Sequence, residues 1–370
     1  MTTFTPRAEA PAIRVADVAY LRFGRRDLAR AERYMIDFGL KVAARTDEAI
    51  YFRGVLPQHH CVIVEASRHD AFLALGLRAA CAADLRTLAA AHCAQVEPAG
   101  EPGGGEVVRL SDPAGFRVEV VHGIEDLPRL SSRAPRVLNL PEDKRRRNAP
   151  QPARVGPAEV FRLGHAVMQR QEFARNANWY VQNFGLIASD VLLMPGTHEP
   201  VLAFLRCDRG DEPADHHTVV IALGPENGYE HAAFELLDVD ALGAGAEWLQ
   251  RQGWTRAWGI GRHVLGSQLF SYHYDASGFT LEHYADGDVF DVHYPTGYHE
   301  ASKAGLYLWG PDLPDHFIDM AMTPRRAAEI VHGLRTREEF TLKRLLAAKR
   351  VFSAKARPWH GKAVHRPSAA

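Results

Sequence analysis

The chain lacks the features that would place it in a membrane, a disulfide scaffold or a zinc-stapled fold. No apolar run reaches the roughly 18 residues that a membrane span needs. Its four cysteines, Cys61, Cys81, Cys93 and Cys207, show no C-x-x-C spacing, which argues against a structural zinc site and a disulfide framework. Neither sign of charge is in excess. With 44 basic and 45 acidic residues the net charge is −1, and bulk electrostatics point to neither nucleic acid nor a membrane surface as partner. The opening Met1-Thr2-Thr3-Phe4 carries no charged-then-apolar leader pattern, and a cytoplasmic location is expected. What is present is ordinary for a globular protein: 46% hydrophobic and 24% charged residues over 370 positions, enough for two domains or one doubled domain. The one oddity is histidine. Most of the 19 copies fall in the second half.

An internal repeat organises the chain. Val18-Ala19-Tyr20-Leu21 followed by Tyr34 and Phe38-Gly39-Leu40 echoes Leu163-Gly164-His165-Ala166 followed by Tyr180 and Phe184-Gly185-Leu186. Both read as strand, helix, glycine stop and new strand. His59-His60 echoes His216-His217, each before an apolar strand, and Asp112-Pro113-Ala114-Gly115-Phe116 echoes Asp275-Ala276-Ser277-Gly278-Phe279. The order in each half is β-α-β-β-β, with further helices after Ala82 and Asp240.

The repeat isolates three residues. His165, His231 and Glu282 each lie in an apolar, strand-like run of the second half. Two imidazoles and a carboxylate are the facial ligand set of a non-haem Fe(II) centre that keeps open positions. A lone histidine on an apolar strand is ordinarily a satisfied core residue. The sister repeat, however, offers Tyr20 for His165, a small residue near Ala74 for His231, and keeps only the acid, as Glu119. One carboxylate does not hold iron, so the first half is read as structural and the second as metal-binding. His273 and His283 compete for the role. Because neighbours on a strand face opposite ways, only one of Glu282 and His283 can line the site.

The motifs Leu163-Gly164-His165, His216-His217-Thr218, His231 with Phe234-Glu235, Gly261-Arg262-His263, and Tyr272 through Asp275, Gly278 and Glu282 occur in one order over residues 15 to 295. As a set they resemble the type I extradiol ring-cleaving dioxygenases of the vicinal oxygen chelate superfamily. The resemblance implies an α+β fold of tandem βαβββ modules forming two open-barrel domains. It implies that His165, His231 and Glu282 bind Fe(II), or less often Mn(II), and that His217 is the acid–base residue beside O2. His263 and Tyr272 would contact the oxygens of a catechol-type substrate, with Phe204 against its ring. Ala276 departs from the usual proline, and the stretch after Trp309 is longer than is usual, which leaves the substrate open. Competing readings are a hydroxyphenylpyruvate dioxygenase-like oxygenase or a glyoxalase-like isomerase on the same fold, and a non-catalytic binding protein.

The expected organisation is a metal-free domain over 14–124, a proline-rich linker over 125–158, a catalytic domain over 159–298, and a tail over 299–370. The linker's Lys144–Arg147 run reads as a solvated face. The tail carries an amphipathic helical pattern from Pro324 to Phe352 and serves as a lid or an oligomer contact; a homo-oligomer is expected. Pocket walls are sought between Met194 and Phe204 and between Trp309 and Phe317, where Met194, Leu202 and Phe204 fit either an apolar ring substituent or the core.

Overall fold

The computed structural model describes residues 2–151, 154–314, 317 and 323–353. Arg357-Pro358 and Arg366-Pro367, expected to fray, lie outside them. The first half builds β1 (Val15–Arg25), α1 (Leu28–Phe38), β2 (Lys41–Arg45), β3 (Ala49–Arg53) and β4 (Val62–Ala66). It then repeats the pattern with β5 (Ala71–Ala79), α2 (Ala82–Ala91), β6 (Val96–Pro98), β7 (Glu106–Ser111) and β8 (Arg117–His122). The second half does the same, from β9 (Val160–Arg170), α3 (Phe173–Phe184), β10 (Ile187–Leu193), β11 (Pro200–Arg206), a short β12 (Ala214–Asp215) and β13 (Val219–Leu223). Its second module runs through β14 (Gly228–Leu236), α4 (Val239–Arg251), β15 (Arg256–Arg262), β16 (Leu269–Tyr274) and β17 (Thr280–Ala285). The helices after Ala82 and Asp240 thus open a second βαβββ module in each half.

Local chemistry sets the module boundaries. Asp27 caps α1 by accepting from the Arg30 amide at 2.9 Å, and Gly39, at φ 117°, ends it. A side chain at Gly39 would also strike the Ala158 carbonyl. Each half forms one curved sheet in which two modules join through an antiparallel pair of first strands, β1 with β5 and β9 with β14. The second sheet gains a ninth strand, β19 (Gly297–Glu300), parallel to β10, while β12 pairs with a short β18 (Val289–Phe290). These are the two open-barrel units of an α+β protein.

The halves are locked by reciprocal charges. Arg25, at the end of β1, reaches Asp275 of the second half at 2.6 Å, and Arg170, at the end of β9, reaches Asp112 of the first at 2.6 Å. All four side chains are essentially buried. In each repeated Asp-x-x-Gly-Phe turn one aspartate oxygen accepts two backbone N–H groups of its own turn, and the other takes the arginine of the opposite half. Between the halves, Phe38 stacks on His283 with ring centres 3.9 Å apart, and Trp248 and Trp254 donate to Asp37.

The amphipathic pattern from Pro324 to Phe352 does not form one helix. It breaks into α5 (Pro324–Thr336) and α6 (Leu342–Ser353). Glu339 in the break turns inward, and its carboxylate accepts from the Ala174 and Arg175 amides at the start of α3. The carboxylate thereby caps N–H groups that the start of α3 leaves free.

Candidate active site

Strand register brings the candidate ligands together. Ala233 on β14 pairs with His165 on β9 and with Glu282 on β17, and Glu282 pairs in turn with Tyr272 on β16. Paired residues share a face, and His231, two positions before Ala233, shares it too. His165, His231, Glu282 and Tyr272 therefore point to one side of four adjacent strands. The ligand atoms of the first three lie within 4.8 Å of one another. His273 and His283 take the other face. His273 bonds Ser271, while His283 donates to the Phe38 carbonyl at 2.8 Å.

The site has the chemistry of a cation cradle. Both Glu282 oxygens are buried without a hydrogen bond; the nearest imidazole nitrogens, His165 Nε2 and His231 Nε2, stand 3.4 Å away. Burial alone would raise the Glu282 carboxyl, but the facing His165, His231 and His263 rings outweigh it and hold it well below the usual carboxylate range. An ionised, buried acceptor with no donor is costly unless a cation completes it. The residues fit a divalent metal held by two imidazoles and a carboxylate. His231 Nδ1–H donates to Glu230, orienting the ring and directing Nε2 inward. Burial lowers His231, yet Glu230 and Glu282 together raise it to about 10, so an incoming cation replaces a proton there.

Around this cradle stand the other candidates. His263 Nδ1–H donates to the Leu306 carbonyl at 2.6 Å, which leaves Nε2 to accept from the Tyr272 hydroxyl at 2.9 Å. Burial and the Glu282 and Glu230 charges raise Tyr272 well above its ordinary value, so it keeps its proton. His217 lines the same cavity beside His165, with ring centres 3.9 Å apart. Burial, with His165 and His216 close by, pushes His217 well below the usual histidine range and keeps it neutral. All of them open on one cavity of about 250 Å³.

Comparison with known proteins gives the family. Residues 162–283 match the family model of the Glyoxalase/Bleomycin resistance protein/Dioxygenase superfamily. Metapyrocatechase 2 of Cupriavidus necator is 32% identical over 320 residues, covering 84% of this chain and 95% of that protein. The chain belongs to the extradiol dioxygenases of the vicinal oxygen chelate superfamily. Two solved structures share its fold at lower identity. Homoprotocatechuate 2,3-dioxygenase from Arthrobacter globiformis superposes with a TM-score of 0.69 at 20% identity, covering 86% of this chain and 95% of that one. The Mn(II)-bound glyoxalase from Novosphingobium aromaticivorans superposes with a TM-score of 0.68 at 23% identity, covering 84% and 96%.

The first half of the dioxygenase shows what the same framework does without the histidines. Register places Tyr20 at the position of His165, Ala74 at that of His231 and Gly76 at that of Ala233. Lacking a Cβ, Gly76 lets the Tyr20 ring lie across it, and the hydroxyl reaches Glu119 at 2.6 Å. Arg22 and Arg117 complete the carboxylate. Glu119→Ala should therefore cost about 1–3 kcal/mol, the price of stranding a buried donor, and leave the metal bound per chain unchanged. Denaturant melts with metal analysis check this; lost metal would show that Glu119 serves the site.

Some wall residues differ from expectation. Leu202 and Phe204 line the cavity, but Met194 is packed in the core, 3% exposed, and Trp309 is half exposed outside it. Leu306 and Phe317 supply the wall from the later segment, and α6 adds Leu345, Ala348 and Lys349. Sequence reading also missed Glu230. A bulge between Tyr229 and His231 turns it towards its neighbour's ring, and strand alternation gives no sign of that.

Proposed function

We propose that this extradiol dioxygenase opens the ring of an apolar-substituted catechol beside its diol, using Fe(II) held by His165, His231 and Glu282 and yielding a 2-hydroxymuconic semialdehyde type product. The observation that carries the reading is the buried Glu282 carboxylate, without a hydrogen bond, facing two imidazoles in the same cavity as His217, His263 and Tyr272. When bound, such an ion offers open positions for the two catechol oxygens and O2 and passes electron density between them.

The protein supplies the rest. His263, its Nδ1–H held by the Leu306 carbonyl, takes a hydroxyl proton on Nε2 as the catechol enters. Tyr272, kept protonated, donates to the resulting phenolate. His217, neutral and beside His165, holds or moves a proton where negative charge develops on the O2 side. Leu192, Leu202, Phe204, Trp258 and Phe317 make the walls largely apolar, excluding water and favouring an uncharged ring substituent.

His217→Phe should retain metal and catechol binding but slow turnover by roughly 10²-fold or more. With Fe(II) and air, 3-alkyl and 3-aryl catechols should give a yellow product with higher kcat/KM than carboxylated rings. No near-visible absorbance from any catechol would overturn the reaction, and a preference for carboxylated rings would overturn the substrate class.

A further inference from the structure

His217 is the inner end of an unbroken line of side chains that reaches the surface. His216 Nδ1 lies 2.8 Å from His217 Nδ1. His216 Nε2 lies 2.7 Å from one oxygen of Asp190, and the other oxygen takes His299 Nε2 at 2.7 Å. His216 is wholly buried and Asp190 nearly so, whereas the His299 side chain is 44% exposed. Phe204 and Phe290 flank the His216 ring.

The bonding order follows from what each atom can do. An ionised aspartate only accepts, so His216 Nε2 and His299 Nε2 both carry protons. His216 is taken with a single proton, the one on Nε2 that Asp190 binds. Its Nδ1 is then bare and accepts from His217 Nδ1–H. That leaves the second nitrogen of His217, Nε2, without a proton. We propose that Asp190 and His299 act through His216 as positioning residues that fix the tautomer of His217, so that it presents a bare Nε2 to the cavity. The proposal rests on the reading of His217 as the acid–base residue.

Two further observations tie the line to the site. The first half keeps the histidine pair, with His59 Nδ1 3.0 Å from His60 Nδ1. Register there puts Ala44 where Asp190 stands, and among the described residues β2 is an edge strand with no counterpart of β19. The acid and the outer histidine exist only in the half that carries the ligand set. Backbone space has also been cleared for them. Gly297 on β19 pairs with Asp190, and a Cβ there would meet the Asp190 carboxylate at 2.1 Å and His299 Nε2 at 2.9 Å.

The tautomer can be read directly by ¹⁵N NMR on the full-length, histidine-labelled chain loaded with diamagnetic Zn(II). His217 should show a protonated Nδ1 and a bare Nε2. Asp190→Asn and His299→Ala should each mix the two tautomers. In the Fe(II) enzyme they should lower kcat by about 10–100-fold, with KM for catechol and bound metal unchanged. His299→Gln, which keeps a donor to Asp190, should restore most of the rate. His299 is on the surface, so its variants test the idea even if Asp190→Asn fails to fold. A protonated Nε2 in the native chain, or tautomers unmoved by His299→Ala, would overturn the proposal. If His217→Phe proves as fast as the native enzyme while the tautomer results stand, it is the role of His217 that fails, and the wiring remains.

Discussion

Glu282→Gln should purify folded and without metal, and should turn over no catechol at any iron concentration that saturates the native enzyme. The amide keeps the shape of the carboxylate but loses the charge that balances a divalent ion. It also turns one of the two acceptor oxygens into an NH2 donor in a cradle where His165 and His231 stand 3.4 Å from the carboxylate. Because a metal that binds only the folded chain stabilises it, stripping the native enzyme with a chelator should lower its melting temperature, and the same treatment should leave Glu282→Gln unmoved. Metal analysis beside a thermal melt decides the matter. Native-like metal in Glu282→Gln would remove Glu282 from the ligand set.

Arg170→Met should be among the most destabilising single changes in the molecule, costing about 3–5 kcal/mol because it strands a buried aspartate without its cation. Asp112 would retain the two amide donors of its own turn and the Tyr180 hydroxyl, but these neutral donors do not replace the guanidinium. Arg25→Met should do the same to Asp275, and the near equality of the two losses is the sharper expectation, since the pairs are related by the internal repeat. The double variant Arg170→Met/Asp112→Asn should recover part of the loss. Urea denaturation of the four proteins measures all of this. A cost below about 1 kcal/mol for either arginine, the value of an exposed pair, would show that the buried charges do not hold the halves together.

What the sequence discloses about this protein is what strand periodicity and the repeat disclose. His165, His231 and Glu282 are legible because each has a counterpart in the first half whose identity differs or is kept, and strand alternation separates Glu282 from His283. The helix stop at Gly39 and its copy at Gly185 are legible from φ preference alone. Long-range pairing is not. Asp112 and Asp275 stand out as turn residues, but nothing local says that each waits for an arginine from the other half. Glu230 is hidden by a bulge, and Glu339 by a helical pattern that continues through it. The α6 wall is legible only as an amphipathic segment, because which face covers a cavity depends on where the rest of the chain puts that cavity.

The Tyr20–Glu119–Arg22 arrangement has a consequence for how the proposed metal site would be filled. In the first half the counter-charge to the central carboxylate is encoded in the chain, so that half reaches its final state as soon as it folds. In the second half a divalent counter-charge would come from outside the chain. A polypeptide made without the proposed metal would therefore have one completed half, to which Arg25 and Arg170 anchor the other. A metal arriving later would meet an assembled receptacle, and activation would be a matter of supply rather than of resynthesis.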